Sequence, residues 1–205
     1  MDTAFLITAF ITMFVVIDPI ALTPMFLAMT QGLDAKTRRK IALRACLTGA
    51  GVLTAFALFG EALMGVIGIS IPAFRIAGGM LLFLTALDML FERRTKRRED
   101  RAELEEHPDP SVFPLAIPII AGPGAIASVI LLTGQMPGAV GLGGVIGVLV
   151  LDLSLVYVCF LGASFMERII GKTGINVMTR LLGMLLAALA VQFVIDGLRG
   201  TGLLG

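Results

Sequence analysis

Two short stretches of this 205-residue chain place chemically useful groups inside apolar surroundings: Asp18-Pro19-Ile20-Ala21 and, about one hundred residues later, Gly122-Pro123-Gly124-Ala125. Proline removes a backbone donor and clashes with the preceding turn, so each stretch marks a break in a helix. At the first break a carboxylate lies beside freed carbonyls, a combination suited to a cation or a proton, and Thr23 and Pro24 extend the polar irregularity by one turn. At the second, glycine lets the backbone come close to a ligand, and the N–H groups that open the next half-helix suit an anionic group such as a carboxylate. The pair reads as two opposite poles. Each also has a plainer use, since Asp is a favoured helix N-cap and small residues let membrane helices pack closely.

Other polar groups in apolar runs are fewer. Asp152, with Ser154 and Tyr157 nearby on the chain, is the second ionisable candidate, because a charge inside a membrane faces the bundle interior or water. Asp88 and Asp196 fall near span ends, where headgroups, water or flanking Arg explain them. Gln192 reads as an interhelical hydrogen bonder. Arg75 and Arg180 each open a span and snorkel toward headgroups, and Arg75 has Glu61 as a candidate ion-pair partner. Cys46 and Cys159 sit inside spans at unrelated spacing, and His107 stands alone in a charged loop, so no metal site is expected. A Gly-rich phosphate loop, a paired His and a nucleophile with a reachable His are all missing. The expectation is a protein that is not an enzyme and carries no cofactor.

The elements that must position these groups follow from composition. With 57% hydrophobic and 15% charged residues and a mean hydropathy of +0.96, the chain has too little polar surface to cover a soluble core. Apolar runs of spanning length occur at 4–29, 41–67, 72–91, 113–133, 139–163 and 178–198. The short alternating segments of a membrane barrel do not occur. The first run lacks the basic start and small-residue cleavage pattern of a signal peptide, so it is kept as a span. Of the 16 Lys and Arg residues, five fall within 36–44, six within 93–101 and three within 168–180. Read as alternate loops, these are cytoplasmic by the positive-inside rule, which leaves both termini on the outer face.

The polar run at 92–110 divides the chain into halves of three spans, giving a first repeat at 1–91, a cytoplasmic charged linker at 92–112 and a second repeat at 113–205 within one membrane domain. Pro19 and Pro123 are offset by 104 residues, while Arg75…Gly78 and Arg180…Gly183 are offset by 105. Because three is odd, the second copy enters from the opposite face. The expected fold is an all-α membrane protein of six transmembrane helices, built as two inverted-topology three-helix repeats with broken helices 1 and 4.

Four stretches, IDPIALTPMF, GISIPAFRIAGG, FPLAIPIIAGPGAIA and the segment from GINVMTRLLGMLL to VQFVIDGL, resemble the MarC family of bacterial inner-membrane proteins over nearly the whole chain. The resemblance implies six spans, a distant likeness to the LysE-like exporter superfamily, and relatives classed as transporters of small neutral amino acids. Some members carry Asn before the first proline, which implies a polar-ligand role for Asp18 rather than an obligatory proton carrier.

The function expected from these features is a secondary transporter that exports or exchanges small neutral amino acids or related metabolites by alternating access, with a proton or sodium ion as coupling partner. Its substrate site is expected at Asp18, Pro19, Thr23, Pro24, Gly122, Pro123, Gly124 and Asp152, with Glu61, Arg75, Arg180 and Gln192 in structural pairings. Its other partner is the lipid bilayer of the bacterial inner membrane, with no role for nucleic acid, and a homo-oligomer is compatible with the chain. The alternative is a non-transporting assembly or regulatory module. A passive channel ranks last, because the polar positions are too few for a continuous pore.

Overall fold

The computed structural model describes residues 3–91 and 109–202, and all regular structure among them is helical. The elements are α1 (Thr3–Ile17), α2 (Pro19–Met29), α3 (Ala35–Ile67), α4 (Ile71–Leu90), α5 (Ser111–Ile120), α6 (Pro123–Gln135), α7 (Ala139–Leu161) and α8 (Ala163–Gly200). Five helical stretches are long and apolar enough to cross a membrane, α1 and α2 counting as one, and α5 with α6 makes a sixth if the pair, bent by 55°, is one span. These stretches coincide with the expected runs. Large apolar side chains project outward from them, Val66 being 87% exposed, as lipid-facing residues do.

Local chemistry sets the boundaries. Asp34 caps α3 by accepting from the Lys36 and Thr37 N–H groups at 3.1 and 3.3 Å, and Gly68, at φ 80°, closes it in the left-handed conformation that glycine adopts freely. Ser70 caps α4 with its Oγ 3.3 Å from the Ala73 N–H, and Pro72 lies in the first turn where its missing donor costs nothing. The first basic cluster, expected in a loop, is instead the opening of α3, because Asp34 starts the helix ahead of it and Lys and Arg are good helix formers. The same holds for Arg168 and Arg180, both on α8, which is interrupted at Gly171 (φ 65°, ψ 167°). The second basic cluster and His107 lie outside the described residues, as does most of the expected linker.

The Asp34 cap carries a pH dependence. Hydrogen bonds from Thr37, then Lys36, hold its carboxyl below the usual carboxylate range. Its contribution is therefore complete above about pH 4, the unfolded value, and disappears as pH falls through the lower folded value. The protection of the Lys36 and Thr37 amides, their exchange relative to the intrinsic rate at each pH, is expected to fall below that point. Asp34→Ser, which caps without titrating, is expected to remove the acid dependence.

α4 and α8 pack antiparallel through glycines. A Cβ on Gly79 would meet the Ala190 carbonyl at 2.8 Å and Val194 Cγ2 at 2.8 Å, while one on Gly183 would meet the Ala86 carbonyl at 3.2 Å and Leu90 at 3.5 Å. The two sets are the same contact made twice, since Gly183, Ala190 and Val194 lie 104 residues after Gly79, Ala86 and Leu90. The buried stripes agree: Gly79, Leu82, Ala86 and Met89 on α4 match Gly183, Leu186, Ala190 and Phe193 on α8. These reciprocal contacts run at an offset of 104, the spacing of Pro19 and Pro123, and not at the 105 drawn from the arginines. The arginines lie outside the packed stripe and did not fix the register.

Candidate functional site

Asp18 ends α1 and opens α2. Its backbone is at φ 56°, ψ 67°, the one non-glycine positive φ among the described residues. This left-handed turn lets the chain stop one helix and begin another without leaving the span, and Asp is among the few residues that tolerate it. Its Oδ1 accepts the Ala21 N–H at 3.2 Å, and Pro19 fills the first helical position. Asp18, Pro19 and Thr23 are buried. The Thr23 hydroxyl donates to the Pro19 carbonyl at 3.0 Å and lies 4.0 Å from Met166 Sδ on α8. Pro24, half-buried one residue on, removes a further donor from the same short helix.

The second break is built from the same parts with different chemistry. α5 is loosely wound, with extended backbone at Phe113 and Ile117, each directly before a proline, which disfavours the helical region for its predecessor. Gly122 then caps α6 with no side chain, and Pro123 fills the first position. The first-turn amides of Gly124 and Ala125 therefore lack the carboxylate that satisfies α2. Gly122 is half-buried and Pro123 exposed, whereas Asp18 and Pro19 are enclosed.

The two breaks are neighbours. A Cβ on Gly124 would lie 3.4 Å from Val16 Cγ1, two residues before Asp18, and 3.5 and 3.6 Å from Leu82 and Thr85 of α4. The start of one half-helix thus meets the end of α1 in the core, at a residue about 3 Å along the helix from the other break.

Asp152 is on α7, in the buried stripe Gly144, Val148, Asp152 and Val156. It is fully buried, and neither carboxylate oxygen has a hydrogen-bond partner. α7 packs on α1, α2 and α3, so this stripe belongs to the same core as the breaks.

The expected pairings of Glu61 with Arg75 and of Gln192 with another helix are not made. Glu61 is exposed, and no ion pair joins it to Arg75, whose Nε is buried without a partner. The reason is azimuth: on α3 the buried face is Ala57, Gly60 and Met64, and Glu61 lies off it. Gln192 is exposed and donates to Asp196 Oδ1 at 2.9 Å, one turn along its own helix rather than across to another. Arg180 is exposed on α8.

Sequence reasoning passed over an aromatic stack. Phe26 of α2 and Phe160 of α7 are buried and stacked, ring centroids 4.3 Å apart and planes at 8°. They floor a cavity of about 330 Å³ that is also lined by Ala35, Arg38, Arg39, Leu161 and Ser164. The Arg38 guanidinium sits 6.0 Å above the Phe26 ring, and Arg39 Nε donates to the Tyr157 hydroxyl at 3.2 Å. Phe26 is eight residues beyond Asp18, about 12 Å along the helix. The signal was Phe26 within IALTPMF, which composition alone treats as packing material. Of the two thiols, Cys46 is buried and Cys159 only half so.

Comparison with known proteins agrees with this architecture. The model of the MarC family of integral membrane proteins matches residues 3–201. A UPF0056 membrane protein of Methanocaldococcus jannaschii is 36% identical, with 98% of each chain covered. The UPF0056 membrane protein YvbG of Bacillus subtilis is 36% identical over 96% of this chain and 95% of its own. YhcE of Escherichia coli, another UPF0056 membrane protein, is 34% identical over 93% and 90%. No solved structure matches the chain. An integral, multi-pass helical architecture and a family match along almost its whole length place this chain in the MarC family of integral membrane proteins.

Proposed function

We propose that this protein is a secondary transporter of small neutral amino acids or related zwitterions, working by alternating access in the bacterial inner membrane. The observation that carries the reading is the meeting of two broken spans in the core, Gly124 beside Val16, with one break acidic and capped and the other rich in unclaimed amides. Broken helices of this kind, in corresponding positions of two halves, mark substrate sites in transporters. The zwitterion's carboxylate is assigned to the Gly124 and Ala125 amides and its ammonium to the Asp18 side. The protein lowers no chemical barrier in this scheme; its work is binding and exposure.

Six spans in two inverted repeats are part of the proposal. Its support is the single offset of 104 that relates Pro19 to Pro123 and also relates the reciprocal glycine contacts of α4 and α8. An antiparallel pair making one contact twice is what a pseudo-two-fold axis in the membrane plane produces. Basic residues opening α3 support a cytoplasmic position for that end, with both termini on the outer face. The stacked Phe26 and Phe160 then close the cytoplasmic approach, below a vestibule whose Arg38 draws in carboxylates.

The test is flux. Purified protein in liposomes is expected to move labelled glycine, alanine, serine or threonine down or against an imposed gradient. Gly124→Leu, which drives a side chain into Val16, Leu82 and Thr85, is expected to reduce the rate at least tenfold. Absence of flux for every solute in the panel would sink the transporter reading and favour an assembly or regulatory module.

A further inference from the structure

We propose that Asp152 is the proton-binding group of this chain, so that the coupling ion is a proton carried on α7 and not a cation held at Asp18. Its use in coupling rests on the transport reading; its protonation does not.

Asp152 is thirteen residues into α7, about 20 Å along a helix crossing some 30 Å of hydrocarbon. It is the sole charged side-chain type on that helix. Full burial with both oxygens unpartnered leaves an ionised carboxylate there uncompensated, an unfavourable state even after relaxation. Taking up one proton on one oxygen removes the charge and leaves a neutral acid. Asp18, the other buried carboxylate, is already committed: it holds a left-handed turn and caps α2 through Oδ1.

Among the described side chains, the surroundings supply no counter-charge. α1 and α6 carry no titratable side chain. α2 has only Asp18, at its start. On α3, Lys36, Arg38, Arg39, Lys40 and Arg44 crowd the first turns, Arg39 being held by Tyr157, and Glu61 points outward; Cys46 is the one buried titratable group. On α8, Glu167, Arg168, Arg180, Asp196 and Arg199 are exposed or half-exposed, Asp196 pairing with Gln192 and Arg199. Tyr157 and Cys159 complete the list on α7 itself. Ser154 is turned away, its hydroxyl donating to the Val150 carbonyl at 2.6 Å. What the neighbouring helices do supply is neutral: the Thr12 and Ser128 hydroxyls of α1 and α6 are buried without partners. That setting accepts a proton and releases it only when the helices part and water reaches the carboxyl.

The experiment is infrared spectroscopy of the protein in lipid at neutral pH, with wild type, Asp152→Asn, Asp152→Glu and Asp18→Asn. A protonated-carboxyl C=O band is expected in wild type and in Asp18→Asn, shifted in Asp152→Glu and lost in Asp152→Asn. No band in wild type, or one that persists in Asp152→Asn, overturns the assignment. So does a band that appears only when sodium is withdrawn, which would make the site a cation site. A pH dye sealed in the same vesicles is expected to report proton movement on adding alanine to wild type and Asp152→Glu, and none with Asp152→Asn. Alanine flux without proton movement in wild type overturns the coupling role, whereas no alanine flux with the band intact overturns transport and leaves the proton site standing.

Discussion

Gly122→Ala is expected to prevent formation of the native second break, while Gly124→Ala, two residues away, leaves it nearly intact. At Gly122 the backbone is extended (φ −82°, ψ 169°), a conformation open to any residue, so the glycine is not there for its dihedrals. It is there for space: a Cβ would stand 2.6 Å from the Pro118 carbonyl oxygen. That oxygen is main chain between two constrained turns of α5 and cannot rotate away as a side chain would. Overpacking typically costs about 1–3 kcal/mol where side chains can yield, and a backbone clash belongs at or beyond the upper end. At Gly124 the nearest atoms are side-chain groups at 3.4 to 3.6 Å, ordinary van der Waals contact. Thermal unfolding of the purified variants in one detergent separates the two. Equal melting temperatures for both alanines would sink the steric role of Gly122 against the Pro118 carbonyl.

The largest graded effect is expected at Asp18. Asp18→Ala loses the side-chain cap on Ala21, about 0.5–2 kcal/mol, and pays about 1–2 kcal/mol for a left-handed alanine. The sum is roughly 1.5–4 kcal/mol, a large share of a domain's margin. Asp18→Asn keeps both the cap oxygen and the tolerance of positive φ, so its stability is expected within about 0.5 kcal/mol of wild type. Asp18→Gly falls between, and Asp18→Val, stiff at χ1 and poorly suited to positive φ, lies below alanine. The order Asn, Gly, Ala, Val in unfolding temperature tests the local role. If Asn is as damaging as Ala, the charge and not the cap is what the break requires.

These two positions also show what could be read from residues in order. Proline announces a helix start wherever it stands after a capping residue, so both breaks and the first turns of α2 and α6 were visible from Asp18-Pro19 and Gly122-Pro123. Span lengths were visible for the same reason: hydrocarbon thickness imposes them. Azimuth was not. A membrane helix is apolar around its whole circumference, so the periodicity that reveals a buried face in a soluble helix is missing. Glu61 was matched to Arg75 and Gln192 to another helix because nothing in the pattern says which way either points. Register suffered likewise, since conspicuous arginines suggested 105 while the unremarkable Gly79 and Gly183, buried in contact, obey 104. Asp152 was visible as a charge in an apolar run. That both its oxygens lack partners depends on packing among α1, α2, α3 and α7, which no linear spacing contains.

The doubled contact between α4 and α8 bears on how such a chain could have arisen. A surface that meets its own copy in antiparallel register needs no second gene to find a partner. A single three-helix unit inserted in both orientations would present the same glycines, Gly79 to the position of Ala86 in its twin, and close the pair without a linker. On the proposed repeat, tandem duplication would freeze that encounter into one polypeptide and release the halves to diverge. One half would then have kept an acid at its break, Asp18, and the other dispensed with a side chain there, at Gly122.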